Sequence, residues 1–293
     1  MNRKTVKGYL FAILSAVLYG CMPLMAKNIY ADGVNPFTLV FFRNLFALIP
    51  LGLLAYREGK TLVIPVKLLP TIGVMAALGC CVTPILLFCS YNFIASGTAT
   101  VIHFTYPAFV ILGEVLFLRK KIRIGNALSV ALCVVGVGLF YSPGESLNLT
   151  GSILALISGV TFAGYVVILS HFDRSRLSGF LFTFYIVLAS TVIAFLVCLV
   201  SDSFAFPVTA KGWGLCVLFS LLVTVGAVVL FQQAAFLIGG ERVSILSTLE
   251  PITGVVVGVI VFHEAMGSRT ILGVVLVLAA SLLTAILDMK KKA

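Results

Sequence analysis

The sequence predicts an all-α integral membrane protein with ten transmembrane helices and both termini in the cytoplasm. Three observations predict this class. Hydrophobic residues make up 61% of the 293 residues and charged residues only 10%, a composition that a soluble domain cannot bury. Apolar blocks of about 18 or more residues recur along the chain, each long enough to cross a bilayer as a helix. Basic residues collect in alternate breaks between these blocks, as they do in cytoplasmic loops.

The ten apolar blocks are separated by charged clusters or by turn-forming residues. The weakest break, at Ala95–Gly97, carries no charge. The predicted helices span residues 8–26, 37–56, 68–92, 98–118, 124–141, 151–170, 179–200, 212–236, 242–262 and 270–288.

The basic residues orient the predicted bundle. Sixteen of the twenty Lys and Arg residues fall on the side that holds both termini, and only Lys27, Lys211 and Arg269 fall on the other. The twentieth, Arg43, lies inside the second span. We therefore expect both termini in the cytoplasm of a multi-pass protein of the plasma membrane. The net charge of +10 is then a topology signal, and the expected partners are the bilayer and a small molecule, not nucleic acid.

Catalytic and metal-binding motifs are absent from the sequence. All seven cysteines lie in apolar blocks without a C-x-x-C motif or a nearby histidine at metal spacing, so they are predicted to be free packing thiols. There is no H-E-x-x-H, G-x-S-x-G or phosphate-binding G-x-x-x-x-G-K-[ST] motif. We expect neither an enzyme nor a cofactor, and a monomer is compatible with the sequence.

An internal repeat relates the two halves of the chain. A shift of 143 residues aligns the first span with the sixth, Gly8 with Gly151 among others, and a shift of 144 aligns Pro107 with Pro251. The near-constant shift predicts two domains, residues 8–141 and 151–288. Because five helices per half is an odd number, the halves must be inserted in opposite directions. Inverted repeats are typical of transporters that work by alternating access, while a channel, a lipid scramblase or a membrane-embedded enzyme remain alternatives.

Several motifs together resemble the EamA-type branch of the drug/metabolite transporter superfamily. They are Arg43, Ala95–Thr100 followed by Tyr106–Pro107, Ala234–Ser244 followed by Leu249–Pro251, and Phe262–Glu264. The resemblance covers about residues 8–288 and implies ten helices in two EamA repeats, with export of amino acids, related metabolites or toxic compounds, or import in some members. One departure is that Arg119–Lys120 stand where the second repeat has His263–Glu264. The family commonly carries Glu in both repeats, so a shared role for that acid is in doubt.

Two prolines and three ionisable residues inside the spans are the main candidates for the site. Pro107 and Pro251 lie near the predicted midplane and are expected to form a hinge or a cavity wall, although a packing kink is the alternative. Glu250 is the candidate for contact with a substrate amine or for proton coupling, Arg43 for a substrate carboxylate, and His103 for a charge change near neutral pH. The alternatives are that Glu250 caps a broken helix, that Arg43 holds a carbonyl and that His103 is a neutral, satisfied side chain.

The remaining candidates share aromatic, amide or small polar chemistry suited to a small-molecule pocket. They are Tyr19, Met22, Tyr91, Asn92, Tyr106, Phe162, Tyr165, Gln232, Gln233 and Ser247.

Overall fold

The structure is a computed structural model that describes residues 3–59, 62–119, 124–139, 148–172, 177–238, 243, 246–264 and 266–292. Every regular element among these residues is helical. In chain order the apolar helical segments are α1 (Lys4–Tyr30), α2 (Pro36–Gly59), α3 (Val66–Ser90), α4 (Ser96–Leu116), α5 (Ile124–Gly138), α6 (Leu149–His171), α7 (Gly179–Val200), α8 (Ala210–Ala235), α9 (Leu249–Phe262) and α10 (Ser268–Lys292).

The lengths of these segments define a multi-pass membrane protein. Seven of them, all except α5, α9 and α10, are long and apolar enough to cross a membrane. In the other three, the apolar stretch is shorter: Ala127–Gly138 in α5, Leu249–Phe262 in α9 and Ser268–Leu283 in α10. The count of ten spans therefore stays a prediction. The predicted ninth span begins at residue 242. Residues 243 and 246 are helical, a turn follows at Ser247 and Thr248, and the helix restarts at Leu249 as α9. Residues 242, 244 and 245 lie outside the described part of the chain.

Two local backbone features recur about 144 residues apart. A π-helical turn occupies Ala76–Val82 in α3 and Ser220–Ala227 in α8. Left-handed residues end α4 at Arg119 and α9 at His263, both with φ of 52°. After His263, the Glu264 N–H donates to the Gly258 carbonyl at 3.1 Å, and a cap N–H at the end of α4 donates to the Glu114 carbonyl. The two halves therefore share helix irregularities as well as spacing.

Side chains hydrogen bond to a carbonyl in each π-helical turn. A π-turn disturbs the normal pairing of backbone groups, which must find other partners where no water is present. Asn44 donates from Nδ2 to the Cys80 carbonyl at 3.3 Å, and Ser15 donates from Oγ to the Ala227 carbonyl at 2.8 Å. These bonds stabilise irregular backbone in the middle of the bundle.

Helix breaks lie next to both matched prolines. In α4 the regular helix ends at His103 and restarts at Tyr106, one residue before Pro107. Before α9 the helical residues 243 and 246 are followed by the turn at Ser247–Thr248; α9 then begins at Leu249, and Pro251 lies in its first turn. Proline favours such positions because it has no N–H to donate. The breaks are observed, and a hinge role for the prolines stays a prediction.

Contacts between helix ends define two ends of the molecule. At one end Glu264, after α9, meets Lys27 near the end of α1 and Ser96 at the start of α4; we call this the sealed end. At the other end Gly8, near the start of α1, packs against Ile238, the last residue of the helix that continues from α8. We call this second end, where the chain also begins, the open end.

Candidate functional site

A cavity of about 630 Å³ lies in the middle of the bundle, a size that suits a small organic molecule. Both halves of the chain contribute to its wall. The wall contains most of the residues that the sequence singles out: Tyr19, Met22, Arg43, His103, Tyr106, Pro107, Phe162, Tyr165, Gln232, Ser247 and Glu250.

The cavity extends from the centre of the bundle toward the open end; on the sealed side its wall reaches Leu87 and Phe88 in α3 and stops short of Lys27, Ser96 and Glu264. Beyond the central residues, its wall continues through Glu114 near the end of α4, Leu169 near the end of α6 and Phe182 near the start of α7. Phe231 in α8 and Leu287 in α10 complete this outer part. None of the described residues that form the sealed end, Lys27, Ser96 and Glu264 among them, belongs to the wall. A molecule in the cavity would therefore communicate with one end of the protein.

A polar cluster at Glu264 closes the sealed end, and we call Glu264, Lys27, Ser96 and Gly97 the latch. The Glu264 carboxylate accepts hydrogen bonds from Lys27 Nζ at 2.8 Å, the Ser96 backbone N–H at 2.9 Å, Ser96 Oγ at 2.8 Å and the Gly97 N–H at 3.3 Å. The carboxylate thus caps the amino terminus of α4, where orphan N–H groups and the helix dipole favour an anion. The latch joins α1 and α4 of the first half to the α9–α10 turn of the second.

The charge of Glu264 depends on these partners. Burial raises the pKa of the Glu264 carboxyl, but hydrogen bonds and charge from Lys27, together with hydrogen bonds from Ser96, outweigh that effect and hold its pKa below the usual value. Lys27 also lies over the ring of Phe262, 4.2 Å from the centroid, a favourable cation–π position. The ion pair is therefore held from both sides.

Below the latch, glycines bring three helices into close backbone contact. A Cβ on Gly20 of α1 would collide with Thr253 of α9, and a Cβ on Gly97 of α4 would lie 2.9 Å from the Val255 Cα. A Cβ on Gly254 of α9 would lie 3.7 Å from the Gly20 carbonyl oxygen in α1 and 3.6 Å from Thr100 in α4. Small residues allow such approach inside a membrane. This packing leaves no space for the cavity to continue toward the sealed end.

Loops of the two halves also meet at the sealed end. Asp32, after α1, accepts hydrogen bonds from the Thr209 N–H at 3.1 Å and Thr209 Oγ1 at 2.7 Å. Nearby, Asn35 and Thr38 both donate to the Ser203 carbonyl, at 2.6 and 3.0 Å. These bonds add a second line of polar contacts between the halves.

Arg43 lies in the cavity wall and is held by its surroundings. Its Nε donates to Thr224 Oγ1 at 3.3 Å, and its guanidinium carbon lies 5.8 Å from the centroids of both Phe88 and Phe219. The rings stabilise the cation inside the bundle. The guanidinium N–H groups other than Nε make no hydrogen bond to the part of the chain that the structure describes, so they are free to meet a ligand.

Glu250 lies in the first turn of α9 and faces the cavity. Its backbone N–H donates to the Ser247 carbonyl at 3.0 Å, but its carboxyl group has no hydrogen bond or ion pair with any described residue. Tyr19 and Tyr106 lie within electrostatic reach of this carboxyl. An acidic group inside a membrane protein without a partner is costly and marks a functional position.

A row of aromatic rings runs along the cavity beside Glu250. Ring centroids are 5.9 Å apart between His103 and Tyr106, 4.8 Å between Tyr106 and Phe162, and 5.6 Å between Phe162 and Tyr165. His103 is buried and its Nδ1 lies 2.9 Å from Ser158 Oγ. The row places three aromatic rings and one imidazole in the cavity wall.

Four of the sequence candidates lie outside the cavity wall. Tyr91 is buried on the sealed side, with its hydroxyl 3.5 Å from Thr100 Oγ1. Asn92 is exposed beyond the end of α3, and Gln233 is half-buried one position from the wall residue Gln232. Pro251 is buried next to Glu250 in sequence and contributes no wall surface. The sequence does not determine how each helix is rotated about its own axis within the bundle, and this rotation decides which side chains face the cavity.

Sequence reasoning missed other wall residues and the latch. Asn44, Cys80, Thr183 and Thr224 line the cavity; the polar pair of Arg43 and its neighbour Asn44 inside an apolar span was a usable signal. For the latch, the signal was an opposite pair of charges, Lys27 and Glu264, at span ends predicted on the same side.

The fold and the cavity define a multi-pass, all-helical membrane protein with a central small-molecule cavity between two related halves. The sequence profile of the EamA-like transporter family matches residues 6–142 and again residues 149–286. The chain belongs to this family, within the drug/metabolite transporter superfamily, and contains two copies of its domain.

Individual relatives agree with this assignment. The chain is 27% identical over 231 residues to a pseudopaline exporter of Pseudomonas aeruginosa, covering 77% of this chain and 75% of that protein. It is 26% identical over 144 residues to an uncharacterized transporter of Haemophilus influenzae, a match that spans about half of each protein, 48% and 46%. The fold is also similar to that of a protein of known crystal structure, with a TM-score of 0.66 and 14% sequence identity. The superposition covers 98% of this chain and 99% of the other chain. That likeness concerns the fold alone.

Proposed function

We propose that the protein is a secondary transporter that moves small metabolites, such as amino acids, related compounds or drugs, across the plasma membrane by alternating access. The observation that carries the proposal is the one-sided cavity: it reaches the centre of the bundle from the open end and stops at the glycine packing and the latch. A carrier needs such a state, with its site exposed to one side at a time. Family membership supports transport, and the exporter among its relatives supports efflux.

We further propose that the ten segments all span the membrane, as two inverted domains covering residues 8–141 and 151–288. The contacts of matched helices support the inversion. The start of α1 lies at the open end, where Gly8 meets Ile238, whereas the start of the matched α6 lies at the opposite end, where Gly151 meets Phe93 and Ile94 just after α3. With both termini cytoplasmic, the open end faces the cytoplasm and is the loading side of an exporter.

Counterflow in liposomes tests this function. The purified full chain is reconstituted, and uptake of labelled amino acids and amines is measured with and without unlabelled substrate inside the vesicles and with and without a pH gradient. We expect internal substrate to accelerate uptake, because a carrier returns faster when loaded. Uptake that internal substrate does not accelerate would indicate a channel or scramblase, and an absence of flux for every compound would contradict transport.

Two substitutions in the wall link the flux to the cavity. We expect Glu250→Gln and Arg43→Ala each to lower flux by about tenfold or more, since each removes a charged group that the cavity wall offers to a substrate. Glu58→Gln is the matched control, because Glu58 lies at the open end and accepts a hydrogen bond from the Phe180 N–H at 3.2 Å, away from the wall. Unchanged flux in both wall variants would contradict the placement of the site.

A further inference from the structure

We propose that the cavity holds a subsite for a primary ammonium group, formed by Glu250, the Nε2 atom of His103 and the ring faces of Tyr106 and Phe162. The inference rests on the proposed transport function and narrows its substrates to compounds that carry an N–H-bearing cation. Three observations support it. The Glu250 carboxyl group has no partner among the described residues, the hydrogen bonds of His103 leave its Nε2 atom as an acceptor, and the surrounding groups all favour a donor or a cation.

The acid is the first observation. Glu250 lies in the cavity wall, and within the described ranges no donor reaches its carboxyl group. A salt bridge or a capping hydrogen bond would give it a structural role, as the latch gives Glu264. Without either, the group that offsets the cost of placing this half-buried acid inside the bundle must come from outside the chain. A cation that enters the cavity meets that requirement.

The hydrogen bonds around His103 are the second observation. Ser158 Oγ donates its proton to the Ala155 carbonyl at 2.6 Å, so toward His103 it acts as an acceptor. His103 Nδ1 therefore donates to Ser158, and in the neutral imidazole Nε2 keeps a free lone pair. No hydrogen bond from the described residues reaches Nε2, and His103 lies in the cavity wall. The imidazole thus offers a ligand an acceptor.

The third observation is that the groups around this point all favour a donor or a cation. The carboxyl of Glu250, the Nε2 lone pair of His103 and the negative faces of the Tyr106 and Phe162 rings attract N–H groups and positive charge. Tyr106 links them, because its ring contacts those of His103 and Phe162 and its hydroxyl lies within reach of the Glu250 charge. A primary ammonium has three N–H donors and satisfies several acceptors at once, whereas a quaternary ammonium has none.

Arg43 does not compete for this subsite. Its guanidinium lies between Phe88 and Phe219 and bonds to Thr224, and Glu250 forms no ion pair with it. Its positive charge repels a second cation from that part of the cavity. The cavity wall thus has a region near Glu250 that favours cations and a region near Arg43 that tolerates anions. A substrate can therefore carry a carboxylate but does not need one.

Ligand binding to the full chain in lipid nanodiscs tests the subsite. The ligands are matched compounds on one frame: 2-phenylethylamine, its N-trimethyl derivative, 2-phenylethanol and 3-phenylpropionate, with the butyl series as a second frame. We expect the primary amines to raise the unfolding midpoint and to bind at least about tenfold more tightly than the alcohols and carboxylates. The trimethylated compounds should bind less tightly than the primary amines.

Two variants separate the contributions. Glu250→Gln should weaken amine binding by about tenfold to a hundredfold, while Glu58→Gln should leave it unchanged. His103→Phe keeps a ring but removes the Nε2 acceptor, so it should bring the amine and trimethylammonium affinities toward equality while both still bind more tightly than the alcohol. An effect of His103 on folding alone would lower all affinities equally.

Several results would overturn the subsite. They are equal binding of amines and carboxylates, no binding of any amine, and amine binding that survives Glu250→Gln. If liposomes then carry a neutral or anionic compound, the transporter stands and the ammonium subsite is wrong. If amines bind in nanodiscs as expected but no compound shows counterflow, the subsite stands and the transport function is wrong.

Discussion

The sealed end and the open end of this protein are held by different kinds of contact. At the sealed end, one carboxylate of the second half, Glu264, receives four hydrogen bonds from the first half, and glycines beneath it bring backbones together. At the open end, the Glu58 bond to the Phe180 N–H at 3.2 Å and the Tyr185 hydroxyl bond to the Leu62 carbonyl at 2.7 Å join the halves, and the cavity separates other helices there. One side of a bilayer is closed by short polar bonds over close packing, and the other is left accessible.

The same comparison can be made between the two repeats. Both α4 and α9 end in a left-handed residue with φ of 52°, Arg119 and His263. The next residue is Lys120 in the first repeat, which lies outside the described residues, and Glu264 in the second. The backbone conformation is thus the same in both repeats, but only the second repeat has an acid at this position. The first repeat therefore has no counterpart of Glu264, in agreement with the doubt that the sequence raised about a shared role for this acid. The two ends therefore cannot be closed by identical side-chain contacts.

The largest expected effect comes from separating the backbones under the latch. Gly20→Leu places a side chain where Thr253 and the Glu250 carbonyl already lie. Overpacking of this kind costs about 1–3 kcal/mol, and here it also prevents closure of the sealed end. We expect a lower unfolding midpoint and at least about tenfold less counterflow. Gly214→Leu is the control, because a Cβ there meets no atom of the described chain within 4 Å; an equal effect of both variants would contradict the account.

Removing the latch charge is expected to loosen the sealed end specifically. Glu264→Gln weakens the bonds to the Ser96 and Gly97 amides, so hydrogen exchange of these two amides should accelerate by about tenfold or more. The matched change at the open end, Glu58→Gln, should affect the Phe180 amide and leave Ser96 and Gly97 unchanged. Unaltered exchange at Ser96 and Gly97 in Glu264→Gln would show that the latch does not hold the sealed end.

The latch should be insensitive to pH in the neutral range. Because the pKa of Glu264 is held below its usual value, its bonds are fully present above the usual carboxyl pKa of about 4.3 and are lost only as the pH falls through the lower folded value. The difference in unfolding midpoint between the wild type and Glu264→Gln should stay constant from pH 8 to about 5 and shrink below about 4. A difference that already vanishes near pH 6 would contradict this charge state.

The smallest effects are expected at candidates that lie outside the cavity. Asn92 is exposed at the sealed end and Gln233 lies beside the wall without forming it. Asn92→Ala and Gln233→Ala should each change counterflow by less than about twofold, as expected for substitutions away from buried networks. A tenfold loss in either variant would mean that the cavity extends further than its present wall.

The sequence was sufficient for the membrane class and for the family, but not for the rotation of each helix. Apolar blocks and paired prolines are local or periodic signals, and they predicted a helical membrane protein and the breaks next to Pro107 and Pro251. Which face of α3 or α8 meets the cavity depends on packing between distant helices. This is why Gln232 lines the cavity and Gln233 does not, although both have the same local sequence context.

Irregular backbone limited the prediction further. The π-turns at Ala76–Val82 and Ser220–Ala227 add a residue to a helical turn and so rotate everything that follows relative to an ideal helix. No residue type marks such a turn in advance. The latch was missed for a different reason: Lys27 and Glu264 are 237 residues apart, and only the folded bundle places them together.

The one-sidedness of the cavity is tested most directly through Cys80, which lies in its wall. In a variant that keeps Cys80 and replaces the other six cysteines by alanine, a membrane-impermeant thiol reagent is applied from each side of sealed vesicles. We predict that Cys80 is labelled by reagent added on the side of the chain termini and is protected from reagent added on the opposite side. Glu264→Gln should weaken this protection. Equal labelling of Cys80 from both sides, or labelling only from the latch side, would contradict a cavity sealed by the latch.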